Sequence, residues 1–399
     1  MKQTKPSFTR ITMDEASRDT PIGRRWADRA GEEERPREGH YRDGKKRLHI
    51  SAKKGKALHA CSSMSAQYVC CATRVLRNMS NCPMHCSYCF LQNYLTNTTT
   101  SVVADIDALV EEVREEIVRH PGRFLRVGTW ELADSLILEE ELGNSSALVE
   151  AFAPLKGALL ELRTKSSVVG PLLGLSHGGR TVASWSMNPP AVIRSDEHGT
   201  ASFEERLAAM VRVMEDGYLL ALHFDPMIWH EGWEQNYVDM VHEIFRRIDP
   251  DRVAWISMGV LRFNPEMKRK MAENFPGSRL TTAELVTGND GKMRYVKPLR
   301  RAMLSLLYST VRQCAGDDPY IYLCMEKADM WQKVAADAGQ RRPVPADTAA
   351  LEYEMAASLY RRFPGLMDAE PRRENFTSPP DGFNRNVDRR PTETTGPLP

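Results

Sequence analysis

The chain of 399 residues has no long apolar run, no excess of charge of one sign and no repeated unit. No apolar segment approaches the ~20 residues that a helix needs to cross a bilayer, so we expect no membrane association. Residues 1–5 lack the apolar stretch of a signal peptide. The 54 Lys and Arg nearly balance the 53 Asp and Glu, and a formal net charge of +1 gives no overall attraction to nucleic acid. We therefore predict a cytoplasmic protein whose eight cysteines are reduced thiols.

Three of these cysteines, Cys82, Cys86 and Cys89, lie in one short loop with the spacing C-x3-C-x2-C. Three thiolates in one loop can bind three irons of a [4Fe–4S] cluster, whereas a cluster held entirely by protein needs four. The fourth iron is then open to a small molecule. This spacing is typical of the radical S-adenosylmethionine (SAM) enzymes, in which the open iron binds the amino and carboxylate groups of SAM. The sequence therefore predicts two cofactors, a [4Fe–4S] cluster and SAM.

Two other uses of the cysteine loop are open at this point. A zinc site favours C-x2-C pairs with a matching second pair. The sequence has no second C-x2-C or H-x3-H pair, although His85 lies inside the loop. A disulfide with one spare thiol requires an oxidising compartment, which the cytoplasmic prediction disfavours.

The composition divides the chain into four parts. Residues 1–56 are polar, charged and poor in large apolar residues, which predicts a flexible or loosely packed segment. The stretch 35–56 is rich in Arg and Lys and could either meet phosphates or form a solvated linker. We expect a radical SAM core with its C-terminal extension over 57–330, a helical segment over 331–369 and a disordered tail over 370–399.

Strand and helix patterns alternate through the predicted core. We predict strands over 68–79, 123–130, 158–164, 181–187, 218–225, 252–261 and 320–324. We predict helices over 105–119, 146–156, 202–216, 233–247, 265–273 and 298–313. Such alternation indicates an α/β fold with a parallel sheet, and six units fit a (β/α)6 partial TIM barrel with a short C-terminal extension. Chemistry in such barrels occurs at the carboxyl ends of the strands, and the cysteine loop follows the first strand.

Polar or small residues recur where the predicted strands end. They are Gly128, Thr129 and Glu131 after strand two, Lys165 after strand three, Ser186 and Asn188 after strand four, and His223 and Asp225 in strand five. A small residue lets a ligand approach the backbone, and a carboxylate can accept hydrogen bonds from a bound ammonium. Each residue alone is more often a surface ion pair or a satisfied polar group. Their recurrence at four successive strand ends predicts a shared site.

Several segments resemble the spore photoproduct lyase family of radical SAM enzymes. The similar segments are 68–71, 81–92, 164–166, 186–188 and 230–234, within roughly residues 60–295. The cysteine loop alone indicates only the radical SAM superfamily. The following Leu91-Gln92 and the sequence His-Glu-Gly-Trp-Glu over 230–234 narrow the resemblance to this family. The resemblance implies a cytosolic lyase in which a 5′-deoxyadenosyl radical removes hydrogen from a thymine dimer of ultraviolet-damaged DNA.

The resemblance also implies roles for single residues. Cys82, Cys86 and Cys89 would ligate the cluster, and Arg294 with Tyr295 resembles a pair on a C-terminal hairpin that touches the lesion. The candidate catalytic residues are therefore Tyr88, Glu131, Arg294 and Tyr295. The candidate cofactor-binding residues are Tyr88, Gly128, Thr129, Glu131, Lys165, Ser186 and Asn188.

The chain departs from the family pattern at two positions. Members that repair spore photoproduct have a cysteine at the end of strand two that returns a hydrogen atom to the product, but residues 128–134 contain none. The family also has a tyrosine after the last cluster cysteine, where this chain has Phe90 without a hydroxyl. The joint loss indicates a divergent branch. Another thiol could substitute, among them Cys61, Cys70, Cys71 and Cys324.

Three functions follow from these observations. The first is a radical SAM enzyme of the spore photoproduct lyase type that acts on a DNA lesion or a related nucleic acid. The second keeps the radical chemistry but acts on a peptide, nucleoside or small metabolite. The third is a non-enzymatic iron–sulfur protein that binds nucleic acid or carries electrons. For the first two we expect flavodoxin or ferredoxin as the electron donor.

Overall fold

The structure is a computed structural model that describes residues 3, 6–31, 41–62, 64, 67–340 and 344–376. The strands of these residues are β1 (Arg10–Met13), β2 (Arg47–Ser51), β3 (Leu58–Ala60), β4 (Arg74–Leu76), β5 (Met79–Ser80), β6 (His85–Cys86), β7 (Thr100–Val103), β8 (Leu125–Gly128), β9 (Ala158–Thr164), β10 (Thr181–Ser186), β11 (Glu197–His198), β12 (Leu219–Met227), β13 (Val253–Val260), β14 (Arg262–Phe263), β15 (Leu285–Thr287), β16 (Met293–Tyr295) and β17 (Tyr320–Leu323). The helices are α1 (Pro21–Trp26), α2 (Tyr41–Gly44), α3 (Leu91–Tyr94), α4 (Ile106–Arg119), α5 (Glu139–Leu142), α6 (Asn144–Phe152), α7 (Pro190–Asp196), α8 (Phe203–Glu215), α9 (Trp233–Arg247), α10 (Pro265–Asn274), α11 (Lys297–Ala315), α12 (Ala328–Asp337) and α13 (Thr348–Arg362).

The core is an eight-stranded sheet in the order β17-β13-β12-β10-β9-β8-β4-β3. All neighbouring strands from β4 to β17 are parallel, and only β3 is antiparallel to its neighbour β4. The sheet is curled, because side chains of strands that are not neighbours meet: the Arg126 guanidinium lies 4.2 Å from the Trp255 ring centroid. Arg126 belongs to β8 and Trp255 to β13, so their contact crosses the inside of a half-barrel.

The prediction of a mixed α/β barrel-like fold is confirmed, but the (β/α)6 count is not. The sheet has eight strands instead of six because β17 extends one edge and β3 the other. The predicted strand 68–79 contains only the short β4 and β5, and the connection from β9 to β10 holds a 3-10 turn, Gly170–Leu172, instead of a helix. The regular alternation therefore fails in the connection between β9 and β10.

Helices begin where the sequence supplies a capping side chain. Asp105 accepts a hydrogen bond from the Ala108 backbone at the start of α4, at 2.9 Å. Ser202 and Glu205 form the two reciprocal bonds of a capping box at the start of α8. These local signals explain why the predicted starts of the two helices agree with the structure to within one residue.

The described part of the N-terminal segment is packed, contrary to the prediction of a loose segment. β1 pairs in parallel with β2, β2 with β7, and β7 antiparallel with β5. Leu48 and Ile50 are buried in one apolar cluster with Cys82 of the cysteine loop. The charged composition concealed these strands, because only one face of each is apolar and the second partner of β2, β7, lies outside the segment. Residues 1, 2, 4, 5 and 32–40 lie outside the described residues.

The C-terminal segment contains α12 and α13, and the domain boundary expected at residue 331 stays a prediction. The predicted tail begins later than residue 370, because residues 373–376 form a 3-10 turn and Phe376 is fully buried. The Arg123 guanidinium lies 5.6 Å from the Phe376 ring centroid. Residues 377–399, the rest of the predicted tail, lie outside the described residues. Within the described ranges, no helix is long and apolar enough to span a bilayer.

Candidate active site

The cysteine loop is fixed by pairing with a distant segment. β6 and β11 form an antiparallel pair in which Cys86 lies opposite Glu197. The Ser87 backbone N–H donates to the Asp196 carbonyl at 2.8 Å, and the Ser87 hydroxyl donates to the Asp196 carboxylate at 2.5 Å. At the start of the loop, Asn81 has a φ of +64° and its side-chain oxygen accepts from the next backbone N–H at 2.9 Å. The loop is therefore held at both ends by polar contacts.

Burial governs the protonation of the three thiols in this loop. Cys82 and Cys86 are buried and Cys89 is half-buried. Burial raises the pKa of Cys82 to about 12 and that of Cys86 further, so metal binding must displace their protons. Among the described residues, no group of three His, Cys, Asp or Glu side chains could share one metal ion. The thiolates of an iron–sulfur cubane each bind a different iron and need not converge on one point.

A buried cation lies beside the three thiols. Lys45 is 4% exposed, and its ammonium donates to the Met84 carbonyl inside the loop. Burial lowers the pKa of Lys45, whereas Cys89, Cys82 and Cys86 act in the opposite direction. A cluster held by three thiolates would bring negative charge next to this ammonium and stabilise its charged form. The sequence placed Lys45 only in a basic run, and no local signal connected it with the loop.

A buried hydrogen-bond network links the loop to the ends of two strands. The Tyr88 hydroxyl donates to the Glu197 carboxylate, and the Asn188 amide donates to the same oxygen at 2.9 Å. The Asn188 carbonyl accepts from the Tyr237 hydroxyl at 2.9 Å. Arg206 and Glu197 form an ion pair in which neither side chain is exposed. The network brings the predicted residues Tyr88 and Asn188 together around Glu197, which sequence reasoning missed because it follows a helix and not a predicted strand.

Burial and two neighbouring cations have opposite effects on the pKa of Glu197. Burial tends to raise the pKa of this carboxyl, but Arg206 and then Lys165 outweigh it and hold the pKa below its usual value. Glu197 is therefore ionised and anchors the Tyr88 hydroxyl at the centre of the site.

Lys165 lies beside Tyr88, and its role toward a cofactor stays a prediction. Its ammonium is 5.7 Å from the Tyr88 ring centroid, and its backbone N–H donates to the Asp134 carboxylate at 2.7 Å. The ammonium also acts electrostatically on Glu197, whose pKa it lowers. The Ser186 carbonyl accepts from Arg206 at 2.8 Å, so Ser186 adjoins the same network.

The three candidate cofactor-binding residues after strand two contact other residues of the protein. A Cβ on Gly128 would lie 2.1 Å from the Trp130 indole nitrogen, so this glycine accommodates a side chain and not a ligand. The Thr129 hydroxyl lies 2.7 Å from that of Ser135. The Glu131 carboxylate accepts from the Ser62 backbone at 2.7 Å and from Arg77 at 3.3 Å. Their roles toward a cofactor stay predictions.

Charged side chains fill the space inside the curled sheet, which we call the lumen and define by Arg126, Trp130, Glu161, Arg163 and His223. His223 Nε2 lies 2.6 Å from the Glu161 carboxylate, and both residues are fully buried. The Arg163 guanidinium lies 3.9 Å from the Trp130 ring centroid. Burial, and next Arg163, lowers the pKa of His223 to about 4, so the imidazole is neutral at pH 7. The sequence had not predicted Arg126, Trp130, Glu161 or Arg163, because only the inward side of each strand distinguishes them.

The hairpin predicted for Arg294 and Tyr295 is present as β15–β16, and β14 pairs with it. Arg294 donates to Asp290 at 2.5 Å and to the Met325 carbonyl at 3.1 Å. The Tyr295 hydroxyl accepts from the Trp229 backbone N–H at 3.2 Å. Both side chains are buried against the protein in this conformation.

Cys324, outside the loop, lies among charged side chains. Arg262 donates to the Cys324 sulfur at 3.2 Å and to both Asp225 oxygens at 3.0 and 3.1 Å. Burial, and then Asp225, raises the pKa of Cys324 well above its usual value, so the thiol is protonated. Cys324 is half-buried and precedes Met325, whose carbonyl binds Arg294. The thiol is thus next to the predicted lesion-contacting hairpin.

The other three candidate thiols have less distinctive contacts. The Cys71 sulfur lies 3.3 Å from the Thr73 hydroxyl. Cys70 is buried in a small apolar cluster with Tyr68, against which Cys61 packs. These positions resemble the packing sites that buried thiols usually occupy.

Comparison with known proteins decides the family. The model of the family described as spore photoproduct lyase matches residues 10–343. The chain belongs to the spore photoproduct lyase family. It is 26% identical over 247 residues to the spore photoproduct lyase of a Geobacillus species, covering 61% of this chain and 70% of that protein. It is 25% identical to the enzyme of Bacillus subtilis, with the same coverage.

Solved structures of spore photoproduct lyase share the fold. A double mutant with bound AdoMet and dinucleoside spore photoproduct matches with a TM-score of 0.70 at 22% identity, over 80% of this chain and 100% of that one. A structure complexed with dinucleoside spore photoproduct matches with a TM-score of 0.69 at 21% identity, over the same shares. Membership in the spore photoproduct lyase family confirms the predicted enzyme class, a radical SAM lyase, and its two cofactors. The cytoplasmic location stays a prediction.

Proposed function

We propose that this member of the spore photoproduct lyase family repairs a thymine-dimer lesion in DNA by radical SAM chemistry. The observation that carries the proposal is the cysteine loop, fixed by β11 beside Lys165, Tyr88 and Glu197. When bound, the cluster and SAM supply a 5′-deoxyadenosyl radical that removes a hydrogen atom from the lesion. An electron donor of the flavodoxin or ferredoxin class completes the proposal.

The residues of the chain bind and orient the two cofactors. Cys82, Cys86 and Cys89 would hold three irons, as thiolates that lose their protons on binding. The Lys165 ammonium would pair with the SAM carboxylate. Glu197 accepts the hydrogen bond of the Tyr88 hydroxyl, so the held ring would form a wall beside bound SAM.

The buried polar atoms of the lumen favour a substrate that is rich in hydrogen-bond acceptors. Trp130 Nε1 and His223 Nδ1 are buried and have no hydrogen-bond partner in the described part of the chain, whereas Arg163 Nε lies 3.6 Å from the Glu161 carboxylate. Trp130 Nε1 is an N–H donor, and an unpaired buried donor costs about 1–3 kcal/mol until a ligand or water satisfies it. The ring carbonyls of thymine are acceptors of the required kind.

We further propose that Cys324 returns the hydrogen atom to the product. The Sγ–H bond would break, a C–H bond would form on the product radical, and the sulfur would be left one electron short. The external donor would supply that electron and Asp225, which Arg262 holds beside the thiol, would relay the proton. The raised pKa of Cys324 supports this role, because only the protonated thiol carries a hydrogen atom to donate.

A second candidate substrate is a peptide, nucleoside or small metabolite. The absence of a cysteine over 128–134 and the phenylalanine at Phe90 favour it, since both belong to the usual hydrogen-return route of the family. A non-enzymatic iron–sulfur protein has less support, because its candidate fourth ligands Cys70 and Cys71 have other surroundings. Cys70 packs in an apolar cluster, and the Cys71 sulfur contacts Thr73.

The test is anaerobic turnover of the reconstituted protein. Dithionite, SAM and a dinucleoside spore photoproduct are added, and 5′-deoxyadenosine and repaired dinucleotide are followed by mass spectrometry. We expect both products to depend on the lesion. Cleavage of SAM without repair would support the second candidate substrate instead.

A separate variant tests whether the loop cysteines are the ligands of the cluster. Cys86→Ala should abolish the iron–sulfur absorption and SAM cleavage, whereas Cys314→Ala, on α11 and outside the loop, should leave both unchanged. An intact spectrum with full SAM cleavage in Cys86→Ala would refute the ligand assignment.

A further inference from the structure

Positive charge exceeds negative charge inside the lumen. The guanidiniums of Arg126 and Arg163 lie 3.4 and 3.6 Å from a single carboxylate, that of Glu161. The neutral imidazole of His223 lies 2.6 Å from the same carboxylate and adds no charge. A buried charge is costly unless an opposite charge accompanies it. The lumen therefore has one more cation than anions, and an anionic ligand would balance it.

Arg163 is the more accessible of the two lumen cations. Its side chain is 16% exposed, whereas that of Arg126 is 7% exposed and donates to the Met355 sulfur at 2.7 Å. The Arg163 guanidinium lies 3.9 Å from the Trp130 ring centroid, and this stacking holds the guanidinium in one orientation. Within the described ranges the guanidinium makes no hydrogen bond, so its N–H groups are available to a ligand.

A second cation without a carboxylate partner lies on the predicted lesion hairpin. Lys292 directly precedes β16 and is half-buried. No carboxylate of the described residues lies within ion-pair distance of its ammonium, and Asp290, two residues earlier, pairs with Arg294 at 2.5 Å. The Lys292 ammonium is 3.9 Å from the Met325 sulfur, which also accepts from Arg262 at 3.1 Å. Lys292 therefore adjoins the Arg262 side chain.

The pair formed by Arg262 and Asp225 connects the two cations. Arg262 donates to both Asp225 oxygens, at 3.0 and 3.1 Å, and so balances the charge of this carboxylate. Burial tends to raise the pKa of Asp225, but Arg262 and then Arg163 outweigh it and hold the pKa below its usual value. Arg163 and Lys292 thus both lie close to this pair, and neither has a carboxylate of its own.

We propose that Arg163 and Lys292 bind the phosphodiester that links the two nucleosides of the lesion. The inference rests on the proposed function and deepens it, because it specifies the form of the lesion that the chain recognises. A phosphodiester carries one negative charge, and an arginine can bind two phosphate oxygens at once while a lysine acts as a point charge. Thymine carbonyls satisfy donors but are neutral, so they leave the charge of the lumen unbalanced.

The positions of the two cations favour a phosphate of the lesion over the carboxylate of SAM. Arg163 lies in β9 two residues before Lys165, the candidate partner of the SAM carboxylate. It is therefore farther from the carboxyl end of the strand and deeper in the lumen. Lys292 lies on the hairpin that carries Arg294 and Tyr295, the candidate lesion contacts.

The first measurement changes the ligand and the protein together. Calorimetry of the reconstituted chain with SAM and without reductant compares the dinucleotide spore photoproduct, which contains the phosphodiester, with the dinucleoside, which lacks it. If each cation contributes about tenfold, the unmodified chain should bind the dinucleotide about a hundredfold more tightly. Arg163→Gln and Lys292→Met should each reduce this ratio of affinities about tenfold, and the double variant should abolish it. Equal affinities of the unmodified chain for the two lesions would overturn the proposal.

Matched variants control for the loss of a positive charge elsewhere. Arg246→Gln, in an exposed pair on α9, and Lys156→Met, in an exposed pair before β9, should leave the ratio unchanged. Arg163→Lys keeps the positive charge and should retain more of the ratio than Arg163→Gln. Each ratio compares two ligands on one variant, so a partly unfolded preparation does not imitate the effect.

The same experiment separates the phosphate assignment from the proposed function. If neither lesion binds the unmodified chain, the proposed function fails. If both lesions bind with equal affinity, the lesion remains the substrate and only the phosphate assignment fails. An Arg163→Gln variant that keeps the full ratio but binds SAM more weakly would assign this guanidinium to SAM and overturn the proposal.

Discussion

Replacing Arg206 with methionine tests the network that holds the candidate site. Neither Arg206 nor Glu197 is exposed, and Arg206 also donates to Ser186, Ala201 and Thr200 at 2.8–3.0 Å. Methionine has a comparable length but leaves the Glu197 carboxylate without its main counter-charge. Breaking one side of a buried ion pair costs about 3–5 kcal/mol. We expect the free energy of unfolding of Arg206→Met, measured by urea titration, to fall by that amount.

The controls separate burial from charge pairing. Arg246→Met removes an exposed pair with Glu243 on α9, and we expect no measurable change in the urea midpoint. The double variant Arg206→Met/Glu197→Leu removes both charges, and it should recover most of the lost stability. It still lacks the carboxylate that anchors Tyr88, so its SAM affinity should be lower than that of the unmodified chain. A single variant that unfolds at the same urea concentration as the unmodified chain would refute the buried-pair reasoning.

Three more predictions follow from the site. Lys165→Ala should weaken SAM affinity at least about tenfold, the worth of a charge-assisted hydrogen bond, with unchanged iron content; unchanged affinity by calorimetry would make Lys165 a structural residue. Cys324→Ala should abolish repair and solvent deuterium in the product while SAM cleavage continues, and Cys314→Ala should alter none of these; deuterated product from Cys324→Ala would exclude the thiol as donor. Burial lowers the pKa of His223 to about 4, against about 6.5 when unfolded. Between these values only the unfolded chain binds the proton, so stability should fall as pH falls from 6.5 to 4, and His223→Gln should flatten that part of the unfolding profile.

Local signals account for the parts of the fold that the sequence predicted well. The limits of β9 and α9 agree with the structure, because the apolar period and the flanking turn residues mark both ends. The capping box of α8 is another local signal. The curled sheet has eight strands where six units were expected, because β17, predicted only as a strand after the barrel, joins one edge and β3, which no pattern predicted, joins the other.

The candidate site was predictable only where a motif is continuous. The cysteine loop and the strand-end residues Lys165 and Asn188 could be found from spacing and position. Glu197 and Lys45 could not, because their roles arise from the pairing of β6 with β11 and from the packing of the N-terminal sheet on the loop. Long-range pairing of this kind leaves no periodic trace in a single sequence.

The packing at the end of strand two and the position of Cys324 together support Cys324 as the replacement for the hydrogen-donor cysteine that strand two lacks. Gly128 and Trp130 depend on each other, because any Cβ at Gly128 would collide with the indole, which in turn lies against Arg163. The indole therefore occupies the strand-two side of the lumen mouth, where the family has its thiol. On the opposite edge of the sheet, Arg262 holds Cys324 beside Asp225. A hydrogen donor at Cys324 reaches the lesion from the other side of the lumen than a donor on strand two. The lesion must then turn its opposite face to the thiol. Introducing a cysteine beside Trp130 would therefore not by itself restore repair in a Cys324→Ala variant.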